Sequence, residues 1–223
     1  RVDGMILATA SRSDAAIEAL DEEGVSVVLV NRSSEGVSVP AIVGDDHAGI
    51  GLAVEHLAKL GHRRIGHLAG PSHLSTGIGR RQAFVAWMRT VGLDTQDDDV
   101  EEADWYQVQP GFEATARLLQ RVPDLTALVA ANDLIALGAY RAIRETGREV
   151  GVDVSVTGYN DIPLLDLMQP ALTSVRVPYR QMGVEAARAL LSLMTEDEAG
   201  DRPVSIRLTP TLSVRASTAP PRA

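Results

Sequence analysis

TALVAANDLIALGAYRAI, residues 126–143, places the polar pair Asn132-Asp133 between two apolar runs. The run before the pair is continuously apolar, which predicts a strand buried on both faces. The run after it has helical spacing, and Gly147 predicts the end of that helix. The apolar residues on the helical face are Ile135, Ala139, Ala142 and Ile143. A strand followed at once by a helix is the unit of a parallel α/β sheet, and the polar pair stands at the strand end where such sheets bind ligands.

The same alternation of short apolar runs and helix-spaced segments continues along the chain. Strands are predicted at 5–8, 25–30, 41–43, 65–69, near 99–104, 126–131, 154–158, 172–177 and 204–214, the last breaking at Pro210. Helices are predicted over 13–24, 46–60, 77–91, 111–121, from 133 to Gly147, and over 179–194. This order predicts a doubly wound parallel α/β fold, with two sheets because so many strands share only 223 residues. The closing STAPPRA reads as a loose tail.

The bulk composition is that of an ordinary globular chain, with 45% hydrophobic and 23% charged residues. No apolar run is long enough to predict a membrane span. The absence of cysteine excludes disulfides, thiolate metal ligands and a cysteine nucleophile. The formal net charge of −9 offers no electrostatic basis for binding DNA phosphates, so contact with nucleic acid would need a segment that these residues do not contain.

Polar residues that follow the predicted strands indicate where a ligand would bind, because the carboxyl ends of parallel strands lie along one edge. These residues are Thr9, Ser11, Ser75, Thr76, Arg80, Trp105, Tyr106, Asn132, Asp133, Tyr159, Asn160 and Asp161. Hydroxyls, carboxamides, a guanidinium and aromatic rings together suit a neutral polyhydroxylated ligand.

Structural explanations compete with ligand binding at several of these positions. Asn132 or Asp133, taken alone, is more often a helix cap than a ligand contact. Trp105 and Tyr106 fit core packing as well as they fit ligand contact. Arg80 has a second arginine beside it, so it also fits a solvent-exposed pair.

Sequence motifs for catalysis and for metal binding are missing. The histidines are dispersed and form no HExxH or similar metal-binding spacing. There is no GxSxG, no GxxxxGK[ST], and no GxGxxG after a strand. We therefore predict no metal, no cofactor and a binding module rather than an enzyme, with a small α/β hydrolase as the less favoured alternative.

Four longer blocks occur in this order: LAVEHLAKLGHRRIGHLAGP (52–71), AANDLIALGAYRAI (130–143), DVSVTGYNDIPLLDLMQPALTSVRVPYRQMGVEAARALL (153–191) and VRASTAP (214–220). Together they resemble the effector-binding core of LacI/GalR-type bacterial transcription regulators, and the likeness covers nearly the whole chain. The resemblance implies two subdomains of periplasmic-binding-protein type with a ligand cleft between them.

The resemblance also implies where the chain divides. The N-terminal subdomain would contain 1–61 and 178–200, and the C-terminal one 62–176 and 203–215, with 216–223 as a tail. The chain would cross between them near 61–62, 176–178 and 200–204. The family's helix-turn-helix, hinge helix and first βα units precede the strand at 5–8 and do not occur here. We therefore expect the N-terminal sheet to be incomplete at its start, with another segment filling that place.

Effector-binding residues follow from the same resemblance, position by position. The family's positions match Thr76, Arg80, Tyr106 with Trp105 beside it, Asn132 and Asn160, and the strand-end argument adds Thr9. Asn160 departs from the pattern, because the family usually has Asp after GY or GF. A carboxamide there still donates and accepts hydrogen bonds but loses a charged acceptor. The Gly that usually precedes the helix aromatic is here Ala83.

The function implied is that of a cytoplasmic, homodimeric transcriptional regulator that is controlled by a small polar effector, most simply a sugar. Ligand-driven hinge closure would alter operator binding through a helix-turn-helix that these residues do not include. A periplasmic sugar-binding protein of a transporter remains the alternative, since the same fold and cleft would serve it. Whether the effector releases or promotes DNA binding is left open.

Overall fold

The computed structural model describes residues 2–195 and 205–222. The chain forms two compact units, which are described separately below. Unit 1 contains the described residues of Arg1–Asp45, His73–Thr76 and Pro178–Thr209. Unit 2 contains those of Asp46–Ser72, Gly77–Val177 and Pro210–Ala223.

Strands and helices alternate along the described residues. The strands are β1 (Gly4–Leu7), β2 (Ser26–Val30), β3 (Ala41–Gly44), β4 (Ile65–Ala69), β5 (Val100–Glu102), β6 (Ala127–Ala130), β7 (Ser155–Asn160), β8 (Thr173–Arg176), β9 (Ile206–Leu208) and β10 (Thr211–Ser213). The helices are α1 (Ala15–Glu22), α2 (Asp46–Lys59), α3 (Ser75–Thr90), α4 (Val108–Arg121), α5 (Asp133–Glu145) and α6 (Tyr179–Thr195). The predicted α/β order is confirmed.

Unit 1 is built on a four-stranded parallel sheet in the order β1-β2-β3-β9. One cluster of buried apolar side chains in this unit contains Ala10, Ile17, Val27, Leu29 and Ala41. Helix α6 also packs on β1, β2 and β3. Gly4 lies close to α6, since a Cβ there would lie 2.8 Å from a methyl carbon of Leu190.

Unit 2 is built on a six-stranded sheet in the order β10-β8-β7-β6-β4-β5. All neighbours are parallel except β10, which runs antiparallel to β8. Strands β4 and β6 are buried along their whole length, as the continuous apolar sequence of β6 predicts. Helices α4 and α5 pack closely, since a Cβ on Gly138 would lie 2.2 Å from the Val108 carbonyl oxygen.

Some boundaries between the units differ from those that the family resemblance implied. The first boundary lies between Asp45 and Asp46 rather than at 61–62, so helix α2 belongs to unit 2. The physical reason is packing, because Gly49 and Gly51 of α2 leave room for the rings of Tyr159 and Trp87.

Two further segments also differ from the expected division. Residues His73–Thr76 belong to unit 1, where the His73 carbonyl accepts a hydrogen bond from the Arg12 N–H. The expected crossing at 200–204 lies outside the described residues. Within the described residues, the last passage from unit 1 to unit 2 lies between Thr209 and Pro210.

The predicted break at Pro210 is confirmed, and its consequence is that the two halves of one extended segment join different sheets. Strand β9 pairs with β3 in unit 1, and β10 pairs with β8 in unit 2. Strand β7 runs two residues beyond the predicted 154–158, so Tyr159 and Asn160 are its last residues instead of its loop.

The expectation of a loose C-terminal tail is wrong. Ser217 is fully buried, and its hydroxyl donates to the Val156 carbonyl oxygen (2.6 Å) and accepts from the Thr173 N–H (2.8 Å). The Ala219 carbonyl oxygen lies 2.9 Å from Nε2 of His62. These hydrogen bonds hold the closing residues against unit 2, which the polar, proline-containing sequence did not indicate.

Candidate functional site

Arg80 lies in helix α3 and is the one cation among the predicted effector-binding residues. Only 3% of its side chain is exposed. Its Nε donates to Oδ1 of Asp46 (2.8 Å), and one Nη donates to the Ala131 carbonyl oxygen (2.6 Å). The guanidinium lies 3.7 Å from the ring centre of Tyr159. Three directions of the side chain are therefore fixed by unit 2 itself.

Arg80 keeps its charge in spite of this burial. Desolvation lowers the pKa of the guanidinium, but the Asp46 carboxylate, followed by Tyr106 and Tyr159, raises it above its ordinary value. Within the described residues, Nη2 of Arg80 donates no hydrogen bond, so planar donor capacity remains. The ion pair of Arg80 and Asp46 thus has no net charge, and its guanidinium still offers a hydrogen-bond donor in a fixed direction.

Asn132 and Asp133, which separate the two apolar runs, have different structural roles. Asn132 caps α5, since its side-chain oxygen accepts a hydrogen bond from the Ile135 N–H at 2.8 Å. Asp133 is fully buried and accepts from the Ser174 hydroxyl (2.6 Å) and the Ile162 N–H (2.9 Å). The Asn132 side-chain oxygen therefore caps the helix, which was the structural explanation that competed with ligand binding. The amide nitrogen of the same side chain takes no part in the cap.

The pKa of Asp133 is raised although its carboxyl group accepts hydrogen bonds. Burial raises the pKa to about 6, and the neighbouring Asp161 acts in the same direction, while hydrogen bonds from the Ser174 hydroxyl and from the Ile162 and Tyr159 N–H groups oppose them. Its acceptor oxygens point to the β7–β8 region of unit 2. The position of Asp133 is therefore explained by packing.

Asn160 ends β7 in a backbone conformation that most residues avoid. Its φ is +111°, and the following Asp161 has φ +54°. Such conformations cost about 1–3 kcal/mol each and persist where the surrounding structure fixes them. The Asn160 side-chain oxygen is buried and accepts no hydrogen bond among the described residues. The geometry therefore leaves an acceptor on Asn160.

Asp161 explains how this loop is held. Its carboxylate accepts from Arg176 (2.7 Å) and from the Ser213 hydroxyl (2.9 Å) and pairs with Arg215 (2.7 Å). Burial raises the pKa of Asp161, but hydrogen bonds from Arg215, Arg176 and Ser213 outweigh burial and lower it. The loop after β7 is thus held by ion pairs of Asp161 with Arg176 and Arg215.

The two aromatic candidates lie in different environments. Tyr106 is half-buried against the core of unit 2, close enough to Arg80 to raise its pKa. Its ring occupies the space above Gly70, where a Cβ would lie 2.4 Å away. Trp105 is 57% exposed. Of this pair, the structure brings Tyr106, and not Trp105, to the Arg80 cluster.

Thr9 and Thr76 belong to unit 1. Thr9 follows β1 and is exposed, and its carbonyl oxygen accepts from Arg32 at 3.4 Å. Thr76 is 5% exposed in the first turn of α3, where the neighbouring Ser75 hydroxyl accepts from the Ser33 N–H at 3.0 Å. In unit 2 the structure brings together Arg80, Tyr106 and Asn132 at the carboxyl ends of β4 and β6, with Asn160 ending the adjacent β7.

Other polar clusters of the described residues do not form a metal site. No three described His, Asp or Glu side chains are grouped so that they could hold a metal ion. His67 is fully buried, stacks on Phe84 with ring centres 4.8 Å apart, and has its pKa lowered to about 4 by burial. Among the helices that the structure describes, none is long and apolar enough to cross a membrane.

Comparison with known proteins places the chain in a family. The model of the periplasmic binding protein-like domain matches residues 54–218. A LacI family transcriptional regulator of known structure from Mycobacterium smegmatis is 31% identical, with a TM-score of 0.87 over 100% of this chain and 81% of that one. The chain belongs to the LacI family of transcriptional regulators.

Two other regulators of the LacI family are similar to this chain over most of its length. The complex of the transcriptional regulator CelR with cellobiose has a TM-score of 0.91 and 35% identity, covering 97% of this chain and 66% of CelR. The HTH-type regulator MalR of Streptomyces coelicolor is 39% identical over 208 residues, which are 91% of this chain and 58% of MalR. The chain thus spans about three fifths of the length of this curated relative. These relatives are named as regulators, not as enzymes or transport proteins.

Two residues beside Arg80 were not among the effector-binding residues predicted from the sequence. Asp46 is the carboxylate partner of Arg80, and it was treated only as the start of a helix. Tyr159 follows a predicted strand but was not carried into the site, although its ring lies against Arg80. The position of Asp46 directly beyond the end of β3 was the available signal, since the same strand-end rule found Arg80 and Asn132.

Proposed function

We propose that this chain is the effector-binding core of a LacI-type transcriptional regulator and that its effector is a small neutral sugar. The observation that carries the proposal is Arg80, a buried guanidinium that is fixed by Asp46 and Ala131 and still has a free planar donor. A guanidinium that is held rigidly by the protein and keeps donor capacity is typical of a ligand-binding group.

The charge of the site supports a neutral ligand. Asp46 balances Arg80, and Asn132 and Asn160 contribute carboxamides, which both donate and accept hydrogen bonds. Sugar hydroxyls also donate and accept, so they match this set, while the Tyr106 ring suits the apolar face of a sugar ring. The cellobiose complex of CelR supports the same ligand class.

We further propose that sugar binding shifts an equilibrium between two conformations of the regulator. Thr76 and Trp105, which the family resemblance implies, and Thr9, which follows a strand end, are proposed as additional effector contacts. In the full-length cytoplasmic protein, a homodimer would carry helix-turn-helix heads, and a change in their separation would alter operator affinity. Couplings of this kind are typically about 1–3 kcal/mol, which corresponds to roughly 5- to 150-fold in affinity.

A thermal-shift screen of this chain tests the ligand class. Cellobiose, maltose, lactose and glucose are compared with glucose 6-phosphate, adenosine and hypoxanthine. We expect at least one neutral sugar to raise the melting temperature, because a ligand at a hundred times its Kd stabilises the folded state by about 2.7 kcal/mol. Stabilisation by a purine or a sugar phosphate alone would contradict the proposed ligand class.

Operator binding by the full-length gene product tests the regulatory role. The sugar from the screen should change the Kd for operator DNA in a fluorescence-anisotropy titration by roughly 5- to 150-fold. A sugar that the screen does not select serves as the control. An operator affinity that is identical with and without the bound sugar would refute the regulatory proposal while leaving sugar binding intact.

A further inference from the structure

A groove of about 420 Å³ lies in unit 2 on the outer side of helix α3. One wall is the exposed flank of α3, and the other is formed by Gly70 and Ser72, which follow β4, and by Glu102, the last residue of β5. The side chains that determine its chemistry are Ile78, Arg81, Gln82, Val85, Arg89 and Glu102. The volume falls in the range of small-molecule sites, which is about 300–1,000 Å³.

The groove exists because β5 is the edge strand of the sheet. Helix α4 packs on β4 and β5, and the groove lies between β5 and the α3 side. The tight turn at the start of α3 keeps that wall in place, since a Cβ on Gly77 would lie 2.0 Å from the Pro71 carbonyl oxygen. Ile78 and Val85 are seven residues apart and therefore lie on one flank of α3.

The groove combines an apolar floor with a cationic rim. Ile78 and Val85 are half-buried, and they supply the floor. Arg81 and Arg89 are exposed, and neither forms an ion pair with a carboxylate among the described residues. Eight residues of helix separate these arginines, which places them about 12 Å apart along the α3 axis. The protein supplies two guanidinium groups without supplying their counter-charge.

The one acid of the groove is already engaged. Oε1 of Glu102 accepts a hydrogen bond from the Ser72 N–H at 2.8 Å, which ties it to the wall opposite the arginines. Gln82 adds a neutral donor and acceptor on the α3 side. Two arginines outnumber this one carboxylate, so the net charge of the groove lining is positive, in a chain whose formal net charge is −9.

The groove is separate from the proposed effector residues. Arg81 and Arg80 are consecutive, but Arg80 is buried against Asp46 whereas Arg81 is exposed and lines the groove. The backbone of Gly70 lines the groove on one side and lies against the Tyr106 ring on the other. A molecule in the groove would therefore occupy a second position, which does not depend on the proposed sugar site.

We propose that this groove is a second ligand site, for a small anion with an apolar body, such as an alkyl or aryl carboxylate or sulfonate. Its apolar part lies on Ile78 and Val85, and its anionic head accepts charge-assisted hydrogen bonds from Arg81 or Arg89. Arg81 and Arg89 lie about 12 Å apart along α3, so a molecule that contacts both arginines would be about 12 Å long at most.

Fluorescence titration with 8-anilinonaphthalene-1-sulfonate, an apolar anion, tests the site on the intact chain. We expect saturable binding by the wild type and binding weakened by about tenfold or more in the double variant Arg81→Gln/Arg89→Gln, which keeps polar side chains and removes both charges. The matched control is Arg63→Gln/Arg180→Gln, which removes two charges from exposed positions outside the groove and should change the Kd by less than about twofold.

Two further measurements separate this site from general dye binding. Val85→Glu, which places a carboxylate in the apolar floor, should weaken dye binding at least as much as the arginine variant while the thermal transition persists. Hexanoate should displace the dye at a concentration about tenfold lower than neutral 1-hexanol does. Dye binding that is unchanged in both groove variants, or displaced equally by hexanoate and hexanol, would overturn the proposal.

Discussion

Arg80 and Asp133 are both buried charged residues of unit 2 beside the end of β6, yet the protein uses their hydrogen-bonding capacity differently. The carboxylate of Asp133 accepts from Ser174 and Ile162, which belong to the same unit. The guanidinium of Arg80 is fixed by Asp46 and Ala131, but one of its nitrogens has no acceptor among the described residues.

This difference distinguishes a structural buried charge from one that is available to a ligand. A group whose partners all come from the protein defines the local fold, and its loss is expected to change stability. A group that is held rigidly with capacity left over is expected to change ligand affinity when it is lost. Burial alone does not separate the two cases, whereas the count of remaining donors and acceptors does.

Replacement of Arg80 should give the largest effect on sugar binding. Arg80→Ala removes the fixed donor and leaves the Asp46 carboxylate without its partner, so we expect the affinity for the sugar selected by the thermal-shift screen to fall by about a hundredfold or more. Isothermal titration calorimetry measures this loss. The variant should still unfold in a single transition at a lower temperature, since buried-pair loss is strongly destabilising.

The matched control for this prediction is Arg63→Ala, in the same unit. Arg63 is exposed, so its removal should change sugar affinity by less than about twofold. Sugar binding by Arg80→Ala at wild-type affinity would remove Arg80 from the site and would leave the buried ion pair as a purely structural feature.

Asp133 should give a pH-dependent effect on stability instead. Its pKa is about 6 in the folded state and 3.8 as the ordinary value, so the folded state binds the proton more tightly between these pH values. The contribution of Asp133 to the free energy of unfolding is therefore largest below pH 4 and falls as the pH rises to about 6, by on the order of 2–3 kcal/mol.

Urea unfolding of the wild type and of Asp133→Asn, from pH 4 to pH 7, isolates this contribution. The variant cannot titrate at this position, so the wild type should lose stability relative to the variant as the pH rises. The pKa of Asp161 is lowered by its hydrogen bonds, so in the folded state Asp161 titrates below this pH range. A difference that is constant over this pH range, or that favours the wild type as the pH rises, would contradict the assignment.

The sequence was sufficient to predict several neighbours in unit 2, for a physical reason. Parallel strands have their carboxyl ends on one edge, so the rule that inspects residues after strands finds Arg80, Tyr106, Asn132 and Asn160 without knowledge of the packing. The continuous apolar sequence of β6 was likewise enough to predict a strand buried on both faces.

The partners of these residues were not predictable in the same way. Asp46 follows β3, which belongs to the sheet of unit 1, while the packing of α2 places Asp46 against Arg80 in unit 2, 34 residues further along the chain. Ser174, the partner of Asp133, is 41 residues away. Such pairings depend on tertiary packing, which local sequence patterns do not specify.

Asn132 offers the smallest and sharpest test, because it combines both kinds of behaviour in one side chain. Its oxygen caps α5, whereas its amide nitrogen is not part of the cap. Asn132→Ala should lower the free energy of unfolding by about 0.5–2 kcal/mol, while Asn132→Ser keeps a capping oxygen and should cost only a few tenths. Urea unfolding measures both values.

Sugar affinity then separates the capping role of Asn132 from its proposed sugar contact, because serine provides a capping oxygen but no amide nitrogen. We expect both variants to bind the sugar roughly 2- to 12-fold more weakly, the range for loss of one hydrogen bond, although only the alanine variant is much less stable. Asp14→Ala, which removes the cap of α1 in unit 1, controls for cap loss and should leave the sugar affinity unchanged. Wild-type affinity in Asn132→Ser would make Asn132 a cap alone and would leave Arg80 as the polar centre of the site.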